Sequence, residues 1–442
     1  MRPKKEHIIS RRGFIKAAAV TAAAPAIVPS RVFGQSAPSN TMNLGCIGVG
    51  RQGQGDMHEA AYRGLEVGAR VVAVCDSDRH RMEDAQWLVD RIYASELGED
   101  RYKSCTVHSD YRELLARKDI DGVLIVSPDH WHAKMAFDAA NAGKDIYLEK
   151  PMTYTIAEGR KLVKAVRQNK RILQVGSQQR SSIYFQLACE LVLNGRIGKV
   201  HTIRAFLPED QGIGNPQLMP IPTNLNYDFW QGPRPEAPFT EDRVHPQRGY
   251  GRPGWLQIED YSPGMITGWG SHMIDIAQWG NGTENTGPIE IEARGEFPDR
   301  GLFDVHTQFY AEAKYANGVK LVMETGDPAG VRFESDMDWI FVKRGEIQAM
   351  NRDVLRQVAG EGEIQLYRST NHMKNFLECM RSRKDPVAPV EVGHRSNSIC
   401  LMTHLSMKLG RKLKWDPKTE HFQDDDEANS RLDYTHRKPW VL

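Results

Sequence analysis

Short apolar runs alternate with amphipathic stretches between Met42 and about Gln178. The apolar runs are rich in Val, Ile and Leu and read NLGCIGVG, ARVVAVCD, DGVLIVSP, KDIYLEKP and RILQVGSQ. Stretches with a helical period, such as DYRELLARK, HAKMAFDAANAG and AEGRKLVKAVRQ, separate them. Apolar strands that alternate with amphipathic helices are typical of a parallel sheet covered on both faces. The pattern therefore predicts an α/β domain over residues 42–178.

The pattern changes after Arg180. Runs such as KVHTIRAFL, PIEIEARGEF, HTQFYAEAKY, GVKLVMETG and DMDWIFVKRG alternate polar and apolar positions, as strands with one solvated face do. Asn317 and Gly318 predict a tight hairpin between two of these strands. The runs NHMKNFLECMRSR and HRSNSICLMTHLSMKLG predict two closing helices. We expect a second α/β domain with an open, mostly antiparallel sheet over residues 179–415, and a polar surface tail over residues 416–442.

Residues 224–264 form a long insert between these two patterns. Structureless segments of this length are rare in compact domains and are usually functional. Aromatic faces and planar hydrogen-bond donors suit a pyranose ring. The side chains of this kind in the insert are Tyr227, Phe229, Trp230, Tyr250, Trp255, Tyr261, Arg234, Arg248 and Arg252. We expect Tyr250 and Arg252 to contact substrate, and the alternative is an arm that packs against a neighbouring subunit.

The length of the chain indicates the number of its domains, and its charge argues against one class of partner. At 442 residues it exceeds what one hydrophobic core usually supports, so two domains are expected. The formal net charge is +1, but seven basic residues and one acidic residue lie within residues 1–35. The remainder therefore carries a net charge of about −5. This balance argues against nucleic acid as a partner, because nucleic acid requires a basic surface.

The N-terminus resembles a twin-arginine export signal in the stretch SRRGFIK, residues 10–16. The apolar run AAAVTAAAPAIVP that follows is too short for a bilayer and is interrupted by Pro25, as in the apolar region of a cleavable signal. We expect residues 1–35 to direct export to the periplasm through the twin-arginine machinery, without a stable membrane anchor. The alternative is a frayed, alanine-rich helix.

The six cysteines show no CxxC or CxxH spacing. Cys46 and Cys75 lie in apolar strand-like runs and are expected to be buried free thiols. A chain poor in disulfides suits an export route that carries proteins already folded in the reducing cytoplasm. No metal site is expected.

The glycine-rich turn GVGRQG follows the first predicted strand and opens a predicted helix. Gly48 permits the tight turn, Gly50 lets the backbone approach a pyrophosphate, and Gly53 lets helix and strand pack closely. Arg51 and Gln52 are expected to lie beside the same anion at the helix N-terminus. The combination of strand, glycines and helix predicts a dinucleotide site.

An acid at the end of the second predicted strand indicates which dinucleotide binds. Asp76 lies 23 residues past Gly53, where a carboxylate can accept hydrogen bonds from the ribose diol. This placement favours NAD. Arg79 and Arg81 lie just beyond and suit a 2′-phosphate, so NADP remains an alternative.

Two further motifs, VSPDHWHA (residues 126–133) and YLEKP (residues 147–151), follow predicted strands at the ends where ligands of parallel sheets collect. Together with GVGRQG and with GWGSHMID (residues 268–275), they resemble the glucose–fructose oxidoreductase/inositol dehydrogenase (Gfo/Idh/MocA) family. The resemblance covers essentially everything after the expected signal. It implies a Rossmann domain followed by an open-faced α/β domain, homo-oligomers of two or four subunits, and action on sugars or cyclitols with a nicotinamide cofactor.

By this resemblance, Lys150 lies beside the nicotinamide and His272 faces the substrate hydroxyl. Oxidation of a secondary alcohol removes a hydride from carbon and a proton from oxygen. An imidazole with a pKa of about 6.5 can take the proton, and an ammonium can stabilise the developing alkoxide. Asp275 follows His272 by three residues and would either orient its ring or be an ordinary helix carboxylate.

One departure from the family concerns the acid that usually precedes the histidine by four residues. This chain has Gly268 at that position. Either another acid substitutes, with Glu259 and Asp260 the nearest in sequence, or the proton takes a different path.

Other side chains are placed by the same motifs. The residues expected to line the cofactor are Ser127, Pro128, His132, Glu149 and Lys150. His130 and His132 are alternatively satisfied polar groups of a loop. The run GSQQR after the last strand is expected to reach the substrate through Gln178 and Arg180.

The predicted function is an exported NAD(P)-dependent oxidoreductase that acts on a secondary hydroxyl of a sugar, glycoside or cyclitol. Free cofactor is scarce outside the cell, so the cofactor must be loaded before export, held tightly and recycled in place. Since some family relatives are redox-neutral glycosidases, a glycosidase or epimerase that works through a transient keto-sugar is an alternative. A non-catalytic carbohydrate-binding protein is a third possibility.

Overall fold

The computed structural model describes residues 40–98, 105–210 and 212–442. The expected export signal, residues 1–35, lies outside the described residues, and its role stays a prediction. Residues Met42–Leu442 form one compact unit. None of the helices in the described ranges combines the length and the hydrophobicity that a membrane crossing needs.

The first sheet is built from six parallel strands. They are β1 Met42–Ile47, β2 Ala69–Cys75, β3 Thr106–His108, β4 Gly122–Ile125, β5 Asp145–Leu148 and β6 Leu173–Val175. The helices between them are α1 Arg51–Val67, α2 Arg79–Leu97, α3 Tyr111–Ala116, α4 Asp129–Asn141 and α5 Ile156–Gln168. The strand order is β3-β2-β1-β4-β5-β6 and every neighbouring pair is parallel. The predicted Rossmann-type sheet is confirmed.

The strand order places a crevice at the carboxyl ends of β1 and β4. Strands β2 and β3 follow on the β1 side of the sheet, and strands β5 and β6 follow on the β4 side. The loops after β1 and β4 therefore diverge and leave room for a ligand. All residues of β4 and β5 are buried, which explains why both strands read as continuous apolar runs.

The second sheet has nine strands in the described part of the chain. They are β7 Val200–Leu207, β8 Glu290–Glu296, β9 Gln308–Lys314, β10 Lys320–Thr325, β11 Gly330–Ser335, β12 Trp339–Lys343, β13 Glu346–Ala349, β14 Leu413–Asp416 and β15 His421–Phe422. Their order is β13-β12-β11-β7-β10-β9-β8-β14-β15. Strands β7 and β10 pair in parallel and the other neighbours are antiparallel. The predicted mostly antiparallel sheet is confirmed.

Helices from the second half pack on both sheets. They are α6 Ile183–Leu193, α7 Tyr227–Gln231, α8 Met265–Gly268, α9 Gly270–Gly280, α10 His372–Ser382, α11 Val390–Leu409 and α12 Asp426–Ser430. Helices α9 and α11 pack on each other and on the second sheet, and α11 also packs on α5. Helix α10 packs on α1, so Phe376 and Leu377 belong to the core of the first sheet. These contacts join the two halves around the crevice.

The insert has a small apolar core of its own. Its buried members are Leu225, Tyr227, Trp230, Phe239, Val244, Ile258 and Tyr261. The insert is anchored to the loop after β2, where the backbone N–H of Asn226 donates to the carbonyl of Ser77 at 2.9 Å. It therefore lies against the carboxyl ends of the first sheet.

The C-terminal segment, residues 431–442, packs back onto the first domain. The indole of Trp440 is buried, with its ring centroid 4.9 Å from that of Trp131 and 5.1 Å from that of Phe229. Arg437 donates to the carbonyl of Gly232 in the insert at 2.8 Å. An apolar anchor therefore holds the segment that the sequence predicts to be a polar surface tail.

All six cysteines lie in the described ranges, and all are buried and free. The expectation of buried free thiols at Cys46 and Cys75 is confirmed. Within the same ranges, no group of three or more His, Cys, Asp or Glu side chains is arranged to hold a metal ion.

Candidate active site

A cavity of about 950 Å³ opens at the carboxyl ends of the first sheet. One end is lined by the glycine turn after β1 and by the loop after β2. The other end is lined by α8, α9 and the turn between β12 and β13. Residues of the insert, among them Arg252, Trp255 and Leu256, line the wall between them. Both domains and the insert therefore contribute to a single elongated site.

The turn after β1 has a backbone that only glycine allows. Gly48 has a φ of +79°, and a Cβ there would lie 2.6 Å from the backbone N of Ser127. A Cβ on Gly53 would lie 2.0 Å from the carbonyl oxygen of Gly48, so the close packing of α1 on the turn requires glycine. Gly50 lines the cavity, and the nearest atom to a Cβ there is a guanidinium nitrogen of Arg81 at 3.5 Å. Backbone therefore forms this wall of the cavity, with room for a ligand to approach closely.

The N-terminus of α1 is free to bind an anion. Its N-cap, Gly50, makes no side-chain hydrogen bond, and its first turn contains no acidic residue. Arg51 and Gln52 both line the cavity beside it, and Gln52 also donates to Asp56 at 3.0 Å. Unpaired backbone N–H groups and the positive end of the helix dipole suit the diphosphate of NAD.

Asp76 marks the ribose end of the cavity. Its carboxylate accepts hydrogen bonds from the backbone N–H groups of Val49 and Asp78, each at 2.9 Å. Burial raises the pKa of Asp76, and these two donors oppose the rise. Each oxygen keeps a further lone pair for a diol. The donor and acceptor groups at this end therefore fit the adenine ribose of NAD.

The insert closes the ribose end through Asp78. The Asp78 carboxylate faces His245 Nε2 at 2.9 Å and accepts from Asn224 Nδ2 at 2.9 Å. Although desolvation opposes it, the partnership with His245 and Asn224 lowers the pKa of Asp78 to about 2. This contact joins the loop after β2 to two separate parts of the insert.

Tyr250 does not lie at the substrate end, and its expected role is corrected. Its ring packs under the guanidinium of Arg81 at 4.7 Å, and its hydroxyl donates to Asp84 at 2.8 Å. Arg81 in turn donates to the carbonyl of Pro246 at 3.1 Å. Tyr250 therefore buttresses the ribose end from outside, because this part of the insert docks on α2.

The loop after β4 lines the middle of the cavity with Ser127, Pro128 and His132. The His132 ring lies between two carbonyl oxygens, with Nδ1 2.6 Å from that of Pro151 and Nε2 2.8 Å from that of Ser127. Burial lowers the pKa of His132 to about 4. His132 thus lines the site and also ties the loop after β4 to the loop after β5.

His130 has a structural role, which was the alternative for both histidines, although its Nδ1 has no hydrogen-bond partner among the described residues. Its Nε2 lies 3.0 Å from the carbonyl oxygen of Trp230, and its side chain does not line the cavity. The indole N–H of Trp131 donates to the same carbonyl at 3.0 Å. These contacts fasten the insert to α4.

A pair of buried carboxyl groups, Asp56 and Glu149, lines the cavity beside Lys150. Burial raises the pKa of both, and the charge of Glu149 raises that of Asp56 further. Gln178 donates to Glu149 Oε1 at 2.5 Å and also lines the cavity. The backbone N–H of Lys150 donates to Glu149 Oε2 at 3.1 Å. This network fixes the backbone of Lys150.

Lys150 and His272 line the same cavity from different domains, one after β5 and the other on α9. The His272 ring is buried, and among the described residues its Nδ1 has no hydrogen-bond partner. Burial, followed by the nearby charge of Lys150, lowers the pKa of His272 well below its usual range. The imidazole is therefore neutral at neutral pH and able to accept a proton.

Asp275 and Arg180 bind each other, which agrees with the alternative of a helix carboxylate for Asp275 and corrects the expected role of Arg180. Asp275 Oδ2 accepts from Arg180 Nε at 2.6 Å, and Oδ1 accepts from Arg180 Nη2 at 2.9 Å. Oδ1 also accepts from Ser396 at 2.9 Å. Neither residue lines the cavity. Two opposite charges this deeply buried must be paired, so Asp275 is not available to orient His272 and Arg180 does not reach the substrate.

Neither Glu259 nor Asp260 takes the place of the acid that the family usually has where this chain has Gly268. Gly268 ends α8 and lines the cavity, and a Cβ there would meet only the sulfur of Met265 at 4.0 Å. Glu259 pairs with His404 at 3.1 Å, and Asp260 pairs with Arg234 at 2.8 Å. Neither Glu259 nor Asp260 lines the cavity. The space beside Gly268 is therefore left for a ligand.

Asp129 is an acid that the sequence motif contained but that was not predicted to act. It is the first residue of α4, lines the cavity and is only 3% exposed. Its Oδ2 has no hydrogen-bond partner among the described residues, and burial raises its pKa to about 7. Asp129 comes directly after Ser127-Pro128, at the end of a strand beside the crevice. This position in the sequence could have predicted that Asp129 lines the site.

Trp269 and Arg344 at the substrate end were also missed. Arg344 lies in the turn between β12 and β13, with its guanidinium 4.8 Å from the ring centroid of Trp269. Arg252 lines the same region and donates to Asp210 at 3.0 Å. Sequence spacing does not show which hairpin turns of an antiparallel sheet reach a distant cavity. The position of Arg344 in the site could therefore not be predicted from the sequence.

Two family models match the chain. Residues 42–177 match the model described as "Oxidoreductase family, NAD-binding Rossmann fold", and residues 190–442 match "Oxidoreductase family, C-terminal alpha/beta domain", both of the Gfo/Idh/MocA group. Glycosyl hydrolase family 109 protein 2 of Shewanella sp. (strain ANA-3) is 36% identical over 167 residues, which are 34% of this chain and 35% of that relative. The chain thus spans about a third of the length of this curated relative.

Solved structures share the fold. The WlbA dehydrogenase from Bordetella pertussis, in complex with NADH and UDP-GlcNAcA, has a TM-score of 0.62 and 16% identity, covering 85% of this chain and 99% of that one. Myo-inositol 2-dehydrogenase from Lactobacillus plantarum has a TM-score of 0.58 and 20% identity, with the same coverage of 85% and 99%. At these identities the likeness concerns the fold alone. Because the two family models together account for nearly all of the described residues, the chain belongs to the Gfo/Idh/MocA family of oxidoreductases and carries its NAD-binding Rossmann domain.

Proposed function

We propose that the chain is an NAD-dependent oxidoreductase that oxidises a secondary hydroxyl of a sugar, glycoside or cyclitol. The observation that carries this proposal is that Lys150 and His272 line one cavity with the glycine turn. When bound, NAD supplies the acceptor for the hydride. Gly48, Gly50 and the N-terminus of α1 would hold its diphosphate, and Asp76 its adenine ribose.

The residues of the chain handle the proton. His272 is buried and neutral, so its imidazole can accept the proton from the substrate hydroxyl. The ammonium of Lys150 stabilises the negative charge that develops on the same oxygen. Burial strengthens this charge stabilisation, because water competes less for the oxygen.

The substrate class is supported by the aromatic wall of the cavity. Trp255 and Trp269 line the substrate end, where their faces can cover the apolar C–H face of a pyranose. A sugar nucleotide is bound by one structural neighbour, and another neighbour is named for a cyclitol. These observations favour sugars and cyclitols over smaller alcohols.

We further propose that the enzyme is exported to the periplasm by the twin-arginine machinery and works as a homo-oligomer of two or four subunits. The motif SRRGFIK supports export, and the family resemblance supports oligomers. NAD rather than NADP would be loaded before export, held tightly and recycled in place by a second acceptor. The insert supports slow exchange, because it covers the ribose end through Asp78 and His245.

A second candidate is a redox-neutral glycosidase or epimerase, in which a hydroxyl is oxidised transiently and the hydride later returns. Two observations favour it: the curated relatives named as members of glycosyl hydrolase family 109, and the buried acid Asp129 on the cavity wall. A carboxyl group with a pKa of about 7 can exchange a proton with the substrate at neutral pH. Asp129 would act in addition to His272.

One experiment separates these functions. The purified holoprotein is mixed with neutral and acidic glycosides, and both the absorbance of the reduced nicotinamide and the released aglycone are followed. Reduction without aglycone release supports the dehydrogenase, and aglycone release supports the glycosidase. Unchanged absorbance and intact glycosides across the panel would contradict both and leave a binding protein.

A further inference from the structure

Arg344 occupies an unusual position for a residue of a hairpin turn. The turn between β12 and β13 brings it to the cavity, where Trp269 and His272 also lie. Its guanidinium lies over the ring of Trp269 at 4.8 Å. The ring therefore holds the guanidinium at the substrate end of the site, next to the histidine that would take the substrate's proton.

The other arginines of this cavity have partners or an assigned anion. Arg252 is paired with Asp210 at 3.0 Å, and Arg81 donates to backbone carbonyls of the insert. Arg51 stands at the N-terminus of α1, where the cofactor diphosphate supplies the opposite charge. Each of these arginines thus has a hydrogen-bond partner or faces the expected position of the cofactor diphosphate.

Arg344 has no such partner among the described residues. The carboxylate whose charge reaches it is Glu149, and Glu149 is already engaged by Gln178 and by the backbone of Lys150. Desolvation lowers the pKa of Arg344, although the side chain is exposed at the turn. A guanidinium that lacks an anionic partner is available to pair with an anionic group of a ligand.

Gly268 adds space for such a ligand. The family usually has an aspartate at this position. In this chain, a Cβ built on Gly268 would meet only the sulfur of Met265, at 4.0 Å, so the space beside it is open. An aspartate there would place a negative charge in the region of Trp269 and Arg344. Two cations, Lys150 and Arg344, reach His272 electrostatically.

We propose that Arg344 binds a carboxylate of the substrate, so the site takes a uronic acid or its glycoside in preference to the neutral sugar. This inference rests on the proposed function, because it names the substrate class of the same cavity. The planar guanidinium pairs with both oxygens of a carboxylate, and the sugar ring would lie in the cavity that Trp269 and His272 line.

The test uses the holoprotein as purified and matched pairs of ligands, methyl glucoside with methyl glucuronide and methyl galactoside with methyl galacturonide. Calorimetry gives the Kd of each ligand, and nicotinamide absorbance gives kcat and KM. We expect at least one uronide to bind about ten- to a hundredfold more tightly than its neutral partner. Arg344→Met removes this preference, and Arg344→Lys restores part of it.

The matched control is Arg91→Met. Arg91 also stacks on an indole, that of Trp87 at 5.0 Å, but lies on α2 away from the cavity. This control keeps the preference of the parent protein. Equal Kd values within each pair, or a uronide preference that survives Arg344→Met, would overturn the inference.

Failure of the inference is distinguishable from failure of the proposed function. Neutral sugars that reduce the bound cofactor while uronides bind no better would leave the oxidoreductase standing and remove the acidic substrate. Uronides that bind through Arg344 without any reduction or cleavage would support the inference and contradict the proposed enzyme. Absence of binding by every ligand of the panel would overturn the inference.

Discussion

Single residues decide whether the cofactor end of the cavity can form. At Gly48 both the positive φ and the 2.6 Å approach of a Cβ to the backbone of Ser127 exclude a side chain. Gly55, one turn into the same helix, has no atom within 4 Å of a Cβ. The two glycines lie close in sequence, but only the first carries a structural requirement.

We expect Gly48→Ala to abolish retention of NAD, because the turn must open to relieve the contact with Ser127. Gly55→Ala is the control and should raise stability by up to about 1 kcal/mol, since alanine favours a helix interior. The NAD content of each variant after gel filtration is the measurement. A Gly48→Ala protein with the same NAD content as the parent would contradict the assigned turn.

His272→Ala is expected to lower kcat by roughly 10²–10⁴-fold while leaving NAD bound, because the imidazole takes the proton but does not hold the cofactor. Stopped-flow absorbance of the bound nicotinamide measures the rate. His421→Ala, at an exposed position of β15, is the matched control and keeps the rate of the parent. Unchanged turnover in His272→Ala would remove this residue from the mechanism.

The pH dependence distinguishes Asp129 from His272. Burial lowers the pKa of His272 well below its usual range, so an inflection near neutral pH is not expected from this ring. Asp129, with a pKa of about 7, is protonated below that pH and ionised above it. If ionised Asp129 assists proton removal, kcat rises through about pH 7, and Asp129→Asn removes the inflection. An inflection that persists in Asp129→Asn would assign it to another group.

At the scale of elements, the buried pair of Arg180 and Asp275 fixes α9, and with it His272, to the segment after β6. Arg180 also pairs with the more exposed Glu284 at 2.9 Å and lies over Trp279 at 4.8 Å. A helix that presents a catalytic side chain from one domain to a cofactor held by the other needs such an attachment.

Asp275→Asn should lower the free energy of unfolding by about 3–5 kcal/mol, because it leaves a buried guanidinium without its main counter-charge. Glu284→Gln is the matched variant and should have a smaller effect, since Glu284 is 31% exposed and Asp275 remains. Urea unfolding gives both values. Equal losses in the two variants would show that burial does not decide the strength of the pair.

Elements with a strong local pattern were predictable from sequence, and contacts between distant segments were not. The buried strands β4 and β5 and the helix α11, which ends at Gly410, follow from their apolar patterns and caps. Strand β3 is short and largely exposed, so it gave no such pattern. The pairing of Arg180 with Asp275, 95 residues apart, and the reach of Arg344 into the cavity depend on tertiary packing, which spacing does not encode.

At the scale of the whole molecule, the site is enclosed from several directions. The first domain supplies the glycine turn, the second supplies α9, and the insert covers the ribose end through His245 and Asp78. The C-terminal Trp440 packs behind Trp131 and Phe229, which line the cavity. We expect contacts from these several parts to slow the release of a ligand bound along this cavity.

The proposed export requires the protein to retain its cofactor, because outside the cell it could not rely on exchange with free NAD. The direct test is mass spectrometry of the nucleotide released by denaturing protein that was recovered from the periplasm. We expect close to one NAD, oxidised or reduced, per chain, and we expect it to be retained through gel filtration. Recovered protein that is empty, and that neither binds nor responds to added NAD or NADH, would contradict this expectation.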